Sequence, residues 1–131
     1  MIRGIKILDE SCTSLLFKYK FGFDLLNHTL GYQTWGHTVK CGEWGFHAMA
    51  RDVSNYYLYK KISSKIKNRA FIVEMTDALD YDYDLKIMAT SYIKFIYEFE
   101  PSCLLDKAIF NKICDKFNVI SSKDFPTKGI M

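Results

Sequence analysis

No stretch of this 131-residue chain is apolar for long enough to span a bilayer, and Met1-Ile2-Arg3-Gly4 does not lead into the apolar core of a signal peptide. Four cysteines are present, Cys12, Cys41, Cys103 and Cys114, without a CxxC pair or a close His partner. That spacing excludes a zinc motif, so no metal is expected and the thiols are expected to be reduced and mainly structural, as in a cytoplasmic protein. Proline is scarce, with two residues, which excludes a proline-rich linker. Arginine is also scarce. Arg3, Arg51 and Arg69 stand beside 15 lysines, and the net charge of +3 permits nucleic-acid contact without arguing for it. There is no internal repeat and no low-complexity segment.

Hydrophobic residues make up 49% of the chain and charged residues 25%, the balance of a chain that folds. At this length one domain, residues 1–131, is the simplest organisation. Aromatics reach 16%, mostly Phe and Tyr, which favours strands over a helical bundle. Ile2–Leu8 reads as a first strand, and Leu15–Phe21 as a second that ends at Gly22. The aromatic-rich stretch 23–36 reads as a long loop packed down on the fold, followed by a brief strand over 37–41. Residues 41–49 read as a tight turn into a short extended piece, with a central helix over 51–61 that Asp52 would cap. Arg69–Thr76 is expected as a strand, 77–84 as an acidic connection, and 86–99 as a strand pair broken near Thr90-Ser91. In that last strand Ile93, Phe95, Tyr97 and Phe99 alternate onto one face. Pro101 would open a C-terminal helix over 101–118, with Leu105, Ile109, Ile113 and Phe117 as its apolar stripe, and 119–131 would be a loose tail. The fold class is α+β: a mostly antiparallel sheet of five or six strands, a short central helix and a C-terminal helix packed on it.

Three pieces, in order, carry a resemblance: Tyr19-Lys20-Phe21-Gly22; Cys41 with Gly45-Phe46-His47-Ala48, Asp52-Val53 and Asn55-Tyr56-Tyr57; and Asp84-Leu85-Lys86-Ile87 with Ile93–Glu98. Together they resemble a small bacteriophage and mobile-element domain of unknown function, of the type sometimes found ahead of pentapeptide repeats. The similarity covers residues 2–100 and implies a phage or prophage origin and a small accessory role. It implies no catalytic residues.

A second likeness concerns chemistry. Gly45-Phe46-His47-Ala48 with Ser54-Asn55-Tyr56, the Arg3-Gly4 pair and Glu98-Phe99-Glu100 resemble the nicotinamide corner, strand arginine and Glu-x-Glu of ADP-ribosyltransferases. That resemblance implies NAD as cofactor, Arg3 on its phosphates, and His47, Glu98 and Glu100 as the remaining catalytic candidates. The chain departs from the pattern in having no tyrosine at Phe46 or His47 and no Ser-Thr-Ser strand.

Read on its own, His47 is either a buried imidazole that locks the turn or a general base or ligand contact. His28 and His37 flank the aromatic loop without making a metal motif. The basic run holding Lys60, Lys61, Lys65, Lys67 and Arg69 is either a solvated surface or a contact for phosphates or an acidic protein. Asp77, Asp80, Asp82 and Asp84 lack the glycine and final glutamate of a calcium loop and read as an acidic turn.

The favoured expectation is a non-enzymatic protein that binds and inhibits a host factor, a protein or ribonucleoprotein, as an anti-CRISPR or other counter-defence protein would. It needs no cofactor. Trp35, Trp44, His47, Tyr56 and the basic run would be its anchors. The alternative is the NAD-dependent transferase, and sequestration of a small molecule in the aromatic corner is a third possibility.

Overall fold

The computed structural model of the chain describes residues 1–9, 13–16, 19–23, 31–53 and 68–126. Its strands are β1 (Ile2–Asp9), β2 (Thr13–Leu16), β3 (Tyr19–Gly22), β4 (Tyr32–Gln33), β5 (Phe46–Met49), β6 (Asn68–Asp82) and β7 (Ile87–Phe99). Among the described residues one α-helix, α1 (Lys107–Phe117), follows a 3-10 turn over Pro101–Leu105. The architecture is α+β with every pairing antiparallel.

The long hairpin of β6 and β7 is the spine. β1 pairs with β6 from Ile2↔Met75 to Asp9↔Asn68, and β5 pairs with β7 from Phe46↔Thr90 to Met49↔Ile87. The bridge Ile5↔Met49 joins β1 to β5, so β6, β7, β5 and β1 close into a small barrel. Closure removes sheet edges that would otherwise invite pairing with other chains. β4 extends the β5 side of β7, at Tyr32↔Ile93 and Gln33↔Tyr92.

Both faces of the sheet are covered. Leu8, Phe46, Ala48, Phe71, Val73, Met75, Met88, Ile93 and Phe95 fill the interior, joined by Phe23 and Phe125. Ile5, Met49, Ala70, Ile72 and Phe99 face outward and pack under α1 through Phe110 and Cys114. Burial pushes the Cys114 thiol up to about 11.

Several expectations change against this frame. The strand expected over 15–21 is two strands, β2 and β3, of a separate hairpin with Leu16 opposite Tyr19. The acidic connection is mostly strand, because β6 runs on to Asp82. The break expected near Thr90-Ser91 lies in the partner instead: β7 is continuous, and the register slips in β6 between Thr76 and Leu79. There the Thr90 hydroxyl donates to the Thr76 carbonyl at 2.5 Å and accepts from the Tyr92 N–H at 3.2 Å, satisfying groups that the bulge frees. A second slip pairs Ile72 with Tyr97 but Val73 with Phe95, leaving Ile96 as the extra residue. One extra residue reverses the alternation, so Tyr97 and Phe99 leave the face of Ile93 and Phe95 and turn towards the helix.

The helix begins later than expected. Asp106 is its N-cap, accepting from the N–H groups of Ala108 at 3.1 Å and Ile109 at 3.2 Å, and Asn118 closes it in the left-handed region. Its buried residues are Phe110 and Cys114, whereas Leu105 and Ile109 are 61% and 46% exposed. A four-residue spacing advances about 400° per step, so such a stripe drifts around the helix and off the sheet. The tail expected to be loose is docked as far as Pro126: Val119 and Phe125 are buried, and Phe125 packs on Tyr81 and Tyr83. Asp52 is engaged by the C-terminal segment. Its carboxylate accepts from the Ser122 N–H at 2.8 Å and hydroxyl at 2.5 Å, tying the turn at 51–53 to that docked segment. The remainder of the expected central helix lies outside the described residues.

Candidate functional site

The short turn before β5 frames an aromatic-walled concavity. In place of the strand expected over 37–41, Lys40 and Trp44 close a tight turn, with Lys40 N–H donating to Trp44 O and Trp44 N–H to Lys40 O, both at 2.9 Å. Gly42 and Gly45 take positive φ values of 80° and 122°, which side-chain-bearing residues rarely adopt. Asp80 on β6 fixes the turn to the barrel by accepting the Cys41 N–H at 2.8 Å.

His47 locks the same turn from β5. Its Nδ1 lies 2.9 Å from the Gly45 carbonyl, and its Nε2 accepts the Gly42 N–H at 2.8 Å. That pair of partners fits one species, the neutral ring protonated at Nδ1. Burial and the nearby Lys6 ammonium lower its pKa, and Lys6 itself donates to the His47 carbonyl at 2.5 Å. The Cys41 thiol is pushed up to about 12 by burial and by the charges of Asp80 and Asp82. It is therefore a thiol, not a thiolate nucleophile, near neutrality.

A pH dependence follows from His47. The unfolded ring titrates near 6.5 and the folded one lower, so the unfolded chain binds more protons in the interval between. Stability should be full above about pH 6.5 and fall as the pH drops from there to the folded value. Urea unfolding at pH 7.5 and 5.5 should show a larger loss in the wild type than in His47→Gln. A His47 ring that titrates by NMR at or above 6.5 would refute the assignment.

Beside the turn lies an open cavity of about 670 Å³, lined by His37, Thr38, Val39, Lys40, Glu43, Trp44 and Asp80. The His37 and Trp44 rings pack 4.6 Å apart, and Lys40 and Glu43 form a rim ion pair at 3.5 Å. Trp35, two residues before His37, is 77% exposed. Of the sequence-derived anchors, Trp44 lines this cavity and His47 locks the turn beside it, while Trp35 stands two residues along the chain from the lining residue His37. Tyr56, Lys60, Lys61, Lys65 and Lys67 lie outside the described residues, as do His28 and Cys12. Arg69 is remote from the corner and holds Glu98 through two bonds of 2.6 Å, its guanidinium lying over the Phe71 ring.

The four catalytic candidates do not converge. Arg3 donates to the Glu74 carboxylate at 3.0 Å and to the Phe117 carbonyl at 3.0 Å. Glu98 is tied to Arg69, and Glu100 is exposed at the end of β7. Arg3 faces Glu74 while Phe99 faces Ala70, which puts roughly 15 Å of strand between Arg3 and Glu100. His47 pairs with Ala89, about 30 Å of strand from Phe99.

Sequence reasoning missed Lys40, Glu43 and Asp80. The Lys-x-x-Glu spacing around Gly42 was the available sign of a closed turn, whereas Asp80 could be found only through the β6 register. Among the described residues no three His, Cys, Asp or Glu side chains gather as metal ligands would, and no helix is long and apolar enough to cross a membrane. Compared with family models, with curated proteins and with solved structures, the chain matches none.

Proposed function

We propose that this is a binding protein that acts by occupying the surface of a host factor, a protein or ribonucleoprotein, with the Trp35–Trp44 corner as its anchor. The observation that carries this reading is an aromatic-walled cavity lined by Trp44 and His37, with a 77% exposed tryptophan, Trp35, two residues away along the chain. Exposed aromatics beside a concavity are the features that concentrate binding energy at interfaces. The groups with catalytic potential are spent on structure: His47 on the turn, Arg3 on Glu74, and Cys41 held as a neutral thiol. The resemblance to a mobile-element domain gives the setting, an accessory counter-defence role in the cytoplasm of a bacterial host.

The test is a titration of a purified host factor captured on the protein. Inhibition should saturate at one-to-one stoichiometry without NAD, and Trp35→Ala should weaken it by about 2 kcal/mol, or roughly 30-fold, with folding unchanged. Catalytic inhibition that requires NAD would overturn the proposal and install the transferase in its place.

A further inference from the structure

We infer that the cavity between the His37–Trp44 pair and the end of β6 receives an arginine side chain of the protein partner, an inference that rests on the binding function proposed above. Charge is the first argument. The whole chain carries +3, yet the cavity lining holds Glu43 and Asp80 against Lys40, with Asp82 close enough to act on the adjoining Cys41. The field is felt locally, because Asp80 and Asp82 both help to raise the Cys41 thiol.

Shape and chemistry narrow the ligand further. An indole wall attracts a cation through the ring quadrupole, and guanidinium is planar, weakly hydrated and able to stack where ammonium is not. Asp80 gives one oxygen to the Cys41 N–H, and a carboxylate has further acceptor sites for a forked donor. Lys40 is no obstacle. It and Glu43 are 65% and 60% exposed at 3.5 Å, an arrangement that holds weakly in water, so an incoming guanidinium can replace it on Glu43. An acidic group would be repelled by the same balance, and a neutral one would gain nothing from it.

N-acetyl-arginine amide, its neutral citrulline counterpart and N-acetyl-glutamate amide serve as probes, read by NMR on the Trp44 indole N–H and the His37 ring. The arginine probe should give saturable shifts at both, at least tenfold tighter than citrulline. Glu43→Gln, an exposed change, should weaken arginine at least threefold and leave the amide spectrum elsewhere unchanged. Equal binding of citrulline, preference for the glutamate probe, or no saturable shift at Trp44 would each overturn the inference. The two readings fail separately. A captured host factor whose binding ignores both Glu43→Gln and added arginine amide sinks the cavity assignment and keeps the binding function. Arginine binding at Trp44 alongside NAD-dependent inhibition does the reverse.

Discussion

Phe95→Ala should destabilise the protein by about 3–5 kcal/mol, a large share of the roughly 5–15 kcal/mol that holds a domain folded. Phe95 is 2% exposed and makes edge contacts with Phe23 at 4.9 Å, Phe71 at 5.1 Å and Tyr32 at 6.2 Å. Its removal would leave a cavity between Phe71 on the barrel wall and the rings of Phe23 and Tyr32, where neighbours held by closed strand pairing have little room to collapse. Tyr97→Ala provides the internal control. Simple alternation puts residues 95 and 97 on one face with equal claims to burial. The extra residue at Ile96 instead sends Tyr97 to the helix side, where it is 41% exposed against Phe117. Its loss should cost under about 1.5 kcal/mol, and denaturant midpoints for the two variants measure the difference. Equal costs would mean that the register slip is misplaced.

That contrast marks the limit of what was legible in the residues. The strands β1, β6 and β7, the turn into β5, the packing of Phe23 and Tyr32 on the fold and the C-terminal helix were readable because periodicity and turn chemistry are local. The two slips in the β6–β7 ladder were not, since each depends on which residue of a distant strand lies opposite. The docking of 119–126 was hidden for a similar reason: its polar composition resembles a free tail, and its anchors, Asp52, Tyr81 and Tyr83, are remote in sequence. At the site, the aromatic members were visible as an unusual cluster around Gly45. Asp80 was not, because an aspartate in an acidic run looks solvated until the strand register places it against Cys41. The transferase motif failed to assemble for the converse reason. Short matches at Arg3, His47 and Glu100 each sit plausibly on a strand, but the ladder sets them far apart.

Gly45→Val should be the most damaging single change at the candidate site, costing about 3 kcal/mol and loosening the cavity wall with it. Two costs combine. At φ 122° the backbone lies where a β-branched residue is strained by roughly 1–3 kcal/mol. A Cβ would also stand 3.0 Å from the Thr90 carbonyl oxygen and 3.3 Å from Val39 Cγ1, so it would press on a strand that the barrel cannot easily move. Gly42→Ala separates the two. Gly42 has φ 80° in the same turn but open space around its Cβ position, so only the backbone cost remains, about 1 kcal/mol. Because the Gly45 carbonyl also accepts from His47 Nδ1, a bond that favours the protonated ring, shifting it should lower the His47 titration further below its ordinary value. Urea unfolding of both variants, paired with NMR titration of His47, tests the whole chain of argument. A Gly45→Val protein with wild-type stability and an unshifted His47 would show that the turn does not depend on this glycine, and that the cavity beside it is framed by something else.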